Sequence, residues 1–292
     1  MKKILVTGCL GQLGKAVQKE LAGEAELICT DVINGLPDVV FLDITDQISV
    51  LDIVSKTNPD IIINCAAYTD VDGCEKNYDI AYGINAIGPK NLAVAAAQTD
   101  ARIVHVSTDY VFRGDEPDDL DEGEKPDPIS AYGKTKLKGE QAVKENCKKH
   151  YIFRTAWLYG EGKNFVKTML RLSDTMDEIK VVDDQIGSPT SATELARVIK
   201  QVVATEEYGL YHATCEGSTS WAGFAKKIFE EAKKDTKVIP ISSEEYKELN
   251  PASADRPKFS VLDNKNLRDR GFKPMKNWED AFVDYMITEV KL

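Results

Sequence analysis

Positive charge is in short supply in this chain. Its 37 lysines and arginines are outnumbered by 48 aspartates and glutamates, and the net charge of -11 argues against a nucleic-acid partner, whose phosphates require a basic surface. A small anion needs only a local positive site, such as a helix N-terminus, and stays open as a ligand. Paired cysteines are missing as well. Cys9, Cys29, Cys65, Cys74, Cys147 and Cys215 are scattered without a C-x-x-C, so neither a disulfide framework nor a zinc site is expected, no metal ligands are assigned, and most of the six read as small buried apolar residues. No apolar run reaches membrane-spanning length. The run Ile4-Leu5-Val6 behind Met1-Lys2-Lys3 is too short, and too soon followed by glycines, for a secretion signal. These absences place the expected protein in the cytoplasm, away from membranes.

What is present is an ordinary globular composition, 42% hydrophobic and 29% charged, in 292 residues, enough for one large α/β domain or two that share an interface. The alternation of strand and helix signals predicts a Rossmann-type, doubly wound parallel sheet with a smaller, mainly C-terminal α/β domain for substrate. The expected division is a dinucleotide-binding domain over 1–160, to which segments around 186–212 return, and a mainly substrate-binding domain over 161–292. The second half shows strand signals near Ile179–Val182 and Leu210–Ala213 and helix signals at 193–203, 221–233 and 278–290, with no glycine-rich nucleotide signature of its own.

The first half carries the chemistry. Lys2 to Thr7 reads as a strand, followed by Gly8, Gly11 and Gly14 and a helix from about Gln12 to Leu21. Glycines at a strand-to-helix junction let the backbone approach a diphosphate, which the helix N-terminus receives. The spacing G-x-x-G-x-x-G differs from the standard G-x-G-x-x-G. A second strand, Glu26 to Asp31, ends in an acid seventeen residues past Gly14, near where a ribose-binding carboxylate belongs. There Asp31 would bind the 2'-hydroxyl and repel a 2'-phosphate, which tips the expected cofactor, NADH or NADPH, toward NADH; the alternative is a solvated strand-end acid. Asp60 to Ala67 is a continuous apolar strand of the kind covered on both faces. Ligands of such sheets lie beyond the carboxyl ends of strands, which makes Ala66, Ala67 and Tyr68 candidate contacts. A long helical stretch, 73–98, is interrupted at Gly88-Pro89. The strand Arg102 to Val106 holds a core residue, His105, and ends in Ser107-Thr108-Asp109, with hydroxyls toward the same crevice; Val106 and Asp109 join the candidates. After an acidic loop, Gly114 to Pro128, Tyr132 and Lys136 stand four residues apart at the head of a helix, on one face. A phenol beside an ammonium is a plausible general acid, although such spacing is common on solvated helices.

The three ordered motifs Gly8-x-x-Gly11-x-x-Gly14, Ser107-Thr108-Asp109-Tyr110-Val111-Phe112 and Tyr132-Gly133-Lys134-Thr135-Lys136 resemble those of the extended short-chain dehydrogenase/reductases. Phe153 to Gly160, Asn164-Phe165, Asp184-Gln185-x-Gly187-x-Pro189-Thr190 and Ala254-x-Arg256-Pro257 extend the likeness over nearly the whole chain, to the dTDP-4-dehydrorhamnose reductase family. That resemblance implies an oxidoreductase that uses NAD(P)H to reduce the C4 ketone of a nucleotide sugar, dTDP-4-dehydro-6-deoxy-L-mannose, to dTDP-L-rhamnose. It implies Tyr132 as proton donor, Lys136 lowering its pKa and holding the nicotinamide ribose, Thr108 donating to the ketone oxygen, and Asn85 supporting Lys136 through water. It adds Gln12, Leu13, Asp43, Ile44 and Thr69 to the cofactor contacts, and Asp109, Trp157 and Arg256 to the substrate contacts, with Trp157 against the sugar and Arg256 on the diphosphate. Some relatives carry a glutamate in the first helix, implicated in a metal-linked dimer; Ala16 stands there in this sequence, which counts against such a dimer and leaves monomer or homodimer open. Other members of the extended family, epimerases and different 4-keto reductases, use the same Tyr/Lys pair, and related non-catalytic subunits keep the fold.

Overall fold

The computed structural model describes residues 1–291. Seven parallel strands form one sheet: β1 (Lys2–Thr7), β2 (Ala25–Asp31), β3 (Val39–Phe41), β4 (Ile61–Asn64), β5 (Arg102–Thr108), β6 (His150–Thr155) and the distant strand Gly209–His212. From one edge the order is Gly209–His212, β6, β5, β4, β1, β2, β3. The chain winds one way from β1 to β3 and the other way from β4 onward, so β1 and β4 flank the point where the winding reverses, with Thr7 level with Asn64 at their carboxyl ends. Side-chain alternation divides the core into two layers. In β4, Ile61 and Ile63 enter one apolar cluster and Ile62 the other, all three essentially without exposed surface.

The first layer packs α1 (Gln12–Leu21) and the helix Ala192–Val203 against the sheet and against each other. Ala16 belongs to this packed face, so its position faces the protein interior. The second layer contains α2 (Gln47–Thr57), capped by Asp46 on Ile48 N and closed by Asn58 in the left-handed region. The stretch expected as helical with an interruption at Gly88-Pro89 is several pieces: α3 (Val71–Lys76), α4 (Tyr78–Tyr82), a π-helical turn Gly83–Ile87, and α5 (Gly88–Gln98). The break falls at Asn77, whose extended φ of -126° separates α3 from α4, while Pro89 is absorbed in the first turn of α5, where its missing N–H costs nothing. α6 (Ala131–Asn146) completes this side and starts where the Ser130 side chain accepts from Gly133 N at 3.1 Å.

The C-terminal segments build a smaller body around two parallel strands, Glu178–Val182 and Lys237–Ile241, with the helices Phe165–Ser173 and Trp221–Glu231 packed together beside them. The final helix, Trp278–Tyr285, runs on as a π turn to Val290. The acidic loop is pinned to this body: Phe259 N donates to Gly114 O at 3.0 Å, Leu120 N to Val261 O at 2.9 Å and Asp263 N to Leu120 O at 2.9 Å. Among the described residues no helix is long and apolar enough to cross a membrane. Nor does any group of three or more His, Cys, Asp or Glu among them stand ready for a metal ion. The six cysteines are free, four of them buried and Cys29 and Cys65 half-buried.

Candidate active site

The glycine turn is shaped by close approach. Gly8 leaves β1 at φ +61°, and a Cβ there would stand 2.7 Å from Ala66 Cα; a side chain at Gly14 would run into the Gly8 carbonyl and Cys9. Only glycine lets the turn lie against the end of β4 with α1 starting beneath it. α1 opens at Gly11 with no side-chain cap and no acid in its first turn, so its leading N–H groups are free for an anion. Gly11, Gln12 and Leu13 border a cleft of about 1010 Å³, as do Ala66, Ala67, Thr69 and Val106. Free amides, closely approached glycines and this volume suit a dinucleotide diphosphate.

Asp31 ends β2 beside this turn, outside the cleft wall. Its Oδ2 accepts from Leu10 N at 3.1 Å and its Oδ1 from Ile33 N at 3.4 Å, which braces the glycine turn. Asp43, Ile44 and Tyr68 also stand behind the wall. Asp43 Oδ1 accepts from the amide and hydroxyl of Thr45, at 2.9 and 2.8 Å. Ile44 is buried against Gly88. The peptide of Tyr68 is clamped by Asn85, which accepts from Tyr68 N at 2.9 Å and donates to Tyr68 O at 3.0 Å. Asn85 sits on the π turn, fully buried, and its Nδ2 also donates to Thr135 Oγ1 at 3.1 Å. It therefore acts on the Tyr68 peptide and α6, and its amide is engaged away from Lys136.

On the opposite wall, the first turns of α6 bring Tyr132 and Lys136 to the carboxyl end of β5. Lys136 is buried, with Nζ donating to Val106 O at 2.6 Å, and burial pushes its ammonium down to about 8. The Tyr132 phenol is pushed above its ordinary value, chiefly by burial, with the Thr108 hydroxyl acting in the opposite direction. Desolvation of the phenolate dominates here, and the Lys136 ammonium donates to a backbone carbonyl. A phenol so placed keeps its proton until an adjacent oxygen becomes more basic. Thr108 Oγ1 donates to Asp109 Oδ1 at 2.8 Å and accepts from Tyr110 N at 3.2 Å, so its single proton is already engaged. Burial pushes the Asp109 carboxyl up to about 6.

The far side of the cleft is aromatic and ionic. Trp157, at φ +48°, stacks on Trp221 with ring centroids 3.6 Å apart and planes 7° from parallel. Gly187 is pressed on the same indole, where a Cβ would lie 2.7 Å from Cε2. Phe165 tilts against Trp221 with centroids 4.6 Å apart. The Trp157 ring expected to face a sugar is thus covered by Trp221, a residue no sequence pattern singled out. Arg256 lines the cleft with its guanidinium on Asp72 Oδ1 at 2.9 Å and on Ala254 O at 3.0 Å. A diphosphate would have to share or displace Asp72.

Residues 1–291 match the family model described as the RmlD substrate binding domain. The chain is 39% identical to the spore coat polysaccharide biosynthesis protein SpsK of Bacillus subtilis over 98% of its own length and 97% of that protein. Its fold superposes on a dTDP-4-dehydrorhamnose reductase from Clostridium acetobutylicum with a TM-score of 0.93 at 48% identity, over 99% of this chain and 100% of that one. With the dTDP-4-dehydrorhamnose reductase of Bacillus anthracis, crystallised in complex with NADP, the TM-score is 0.90 at 46% identity, over 98% and 99% of the two chains. The chain belongs to the RmlD family.

Within this RmlD fold, Gly11, Gln12, Leu13, Ala66, Ala67, Thr69, Val106, Thr108, Asp109, Tyr132, Lys136, Trp157 and Arg256 converge on one cleft. Gly8 and Gly14 shape the turn beside it, and Asp31, Asp43, Ile44 and Tyr68 are not among the residues that border it. Sequence reasoning missed Asp72, Trp221 and Glu161. Glu161 borders the cleft and pairs with Lys15 at 2.7 Å and Lys19 at 3.2 Å, fastening the segment after β6 to α1. The common signal for all three is weak, a charged or aromatic residue in the first turn of a helix or in a loop, with no spacing that ties it to its partner.

Proposed function

We propose that this chain is the NAD(P)H-dependent reductase of dTDP-4-dehydrorhamnose, forming dTDP-L-rhamnose. The carrying observation is that a phenol and an ammonium one helical turn apart border the same cleft as an uncapped, glycine-led helix N-terminus. The reduced nicotinamide cofactor supplies the hydride that reaches the ketone carbon. The chain's own residues do the rest. Gln12 and Leu13, following Gly11, receive the cofactor diphosphate on backbone amides, Asp31 receives the adenosine ribose, and Asp43, Ile44 and Tyr68 hold the wall that bounds the adenine side. Ala66, Ala67, Thr69 and Val106 bound the cofactor beyond the sheet, and Lys136 holds the nicotinamide ribose.

As negative charge builds on the ketone oxygen, Tyr132 gives up its proton to it, a step of the kind worth about 10²–10⁴ in rate. Thr108 turns its hydroxyl from Asp109 to the same oxygen, which adds a donor where charge develops. The freed Asp109 oxygen accepts from a sugar hydroxyl. Trp157, backed by Trp221, bounds the sugar, and Arg256 exchanges Asp72 for the substrate diphosphate. In this reading, residues 161–292 serve mainly the nucleotide sugar and 1–160 mainly the cofactor, with segments around 186–212 returning to the cofactor side.

The test is direct. dTDP-4-dehydrorhamnose is supplied with NADH or with NADPH, and the loss of reduced-nicotinamide absorbance is followed. Turnover with at least one cofactor is expected; absence of oxidation with both would sink the reading.

A further inference from the structure

A buried acid with no part in the steps above lies one helical turn beyond Lys136. Glu140 has no exposed surface. Its Oε1 accepts from Ser107 Oγ at 2.7 Å and from Arg154 Nε at 2.8 Å, and its Oε2 from Arg154 Nη2 at 2.8 Å. Arg154 is itself buried, with Nη1 at 3.4 Å from His212 Nε2 and its guanidinium 4.9 Å from the centre of the Phe112 ring. Lys144, a further turn along α6, stands 3.9 Å from Glu140 Oε2. Taking two charges out of water is a weak way to gain net stability, so the location of the pair is more informative than its strength.

The bonds of Glu140 end on the elements that carry the reaction. Ser107 lies between Val106, whose carbonyl accepts from Lys136 Nζ at 2.6 Å, and Thr108. Glu140 therefore fastens α6 to the three residues of β5 that meet Tyr132 and Lys136. The helix can lie this close to its neighbours because residue 139 is glycine; a Cβ there would strike the Asn85 carbonyl.

The electrostatics around Lys136 single out the same residue. Its surroundings from other elements are Cys65 and Cys74, thiols that burial pushes up to about 12 and about 11, and His105, which burial keeps neutral. From its own helix comes Glu140. Burial works against this carboxylate, but hydrogen bonds and charge from Arg154 outweigh it and keep it below its ordinary value. Against the burial that lowers Lys136, the first opposing influence is the charge of Glu140.

We propose that Glu140 is a positioning residue for the reduction: its carboxylate keeps the Lys136 ammonium charged in a desolvated site and keeps the Val106–Thr108 end of β5 seated against α6. The proposal rests on the reading that Tyr132 gives the proton while the Lys136 ammonium holds the nicotinamide ribose. In the wild type, kcat/KM for dTDP-4-dehydrorhamnose should fall as pH rises through the Lys136 value near 8. Glu140→Gln keeps the shape without the charge, and should move this alkaline limb about one pH unit lower; Glu140→Asp, which keeps the charge, should restore it. The 13Cε signal of Lys136, identified by its loss in Lys136→Met, should titrate with the same displacement. Should E140Q fail to fold, the double variant E140Q/R154M, which removes both buried charges, carries the same two readouts. A pH profile and a Lys136 titration that superimpose on those of the wild type, with only a uniform loss of rate, would overturn the proposal. If the wild type turns over no substrate, the proposed function fails, while the Lys136 titration still reports on Glu140.

Discussion

The two sides of the cleft are made of different material. On the sheet side, the groups available to a ligand are largely backbone: amides at the head of α1, small residues after β4, and a strand end that meets a helix beginning only 23 residues later in the chain. On the other side they are side chains brought together from far apart, Trp157 on Trp221 and Arg256 on Asp72. The sheet side rests on seven hydrogen-bonded strands and two buried layers. The far side rests on two-stranded pairs and a stack of rings. A site made of backbone can be changed only by disturbing the fold; a site made of converging side chains can be retuned one residue at a time. The expected consequence is that cofactor binding and chemistry are rigidly specified in this protein and substrate choice is not.

Several experiments would break or sharpen this contrast. The largest effect is expected at Tyr132, the sheet-side side chain that gives the proton. Tyr132→Phe should lower kcat by about 10²–10⁴ while the NADH dissociation constant stays where it was; a near-wild-type kcat would remove the phenol as the acid. Next comes the glycine turn. Gly14→Ala forces a Cβ into the Gly8 carbonyl, and should cost about 1–3 kcal/mol of stability together with cofactor affinity. Trp221→Ala, on the other side, should raise KM for the nucleotide sugar and spare NADH binding. If Trp221→Ala weakened NADH as much as Gly14→Ala does, the two sides would not be separable.

The fourth experiment concerns Asp109, where the two sides meet. Its folded value of about 6 lies above the unfolded value of about 3.9. The folded state thus binds more protons between these values, and the stabilising contribution is full below about pH 4 and lost as pH rises through 6. Urea unfolding from pH 4 to 7 should show this decline, on the order of 2 kcal/mol, and Asp109→Asn should abolish it; an unchanged slope would mean that Asp109 is ionised throughout. The smallest effect is expected at Asp31. Replacing it with Ala should weaken NADH more than NADPH, by about tenfold, the low end of what a charged hydrogen bond contributes, since the carboxylate also braces Leu10. An unchanged ratio would put the carboxylate off the ribose and leave it as a brace for the turn.

How far the sequence could be read follows the same division. Strand, glycine turn and helix were legible because each is set by neighbours in the chain, and β4 announced a doubly covered position through three consecutive isoleucines. The pair Tyr132 and Lys136 was legible because helical spacing alone puts both on one face. Asn85 was harder. Mid-helix asparagines usually face water, and only the π turn, with the Tyr68 peptide next to it, turns this one inward. Trp157 was found but its partner was not, since nothing near it in sequence announces the ring of Trp221 sixty-four residues away. The burial that raises the Tyr132 phenol was not legible, because spacing reports neighbours and is silent on how much water a fold removes.

The sequence by itself determined the order of strands and helices, the uncapped glycine-led start of α1 and the Tyr/Lys acid pair, since all of these depend on local dihedral preference and periodicity. Only the tertiary structure decided that Lys136 spends its proton on Val106, that Thr108 is held by Asp109, that Glu140 stands behind both, and that Trp221 covers Trp157. Those contacts arise where strands and helices distant in sequence exclude water together, and the energies of buried charges and stacked rings depend on that exclusion.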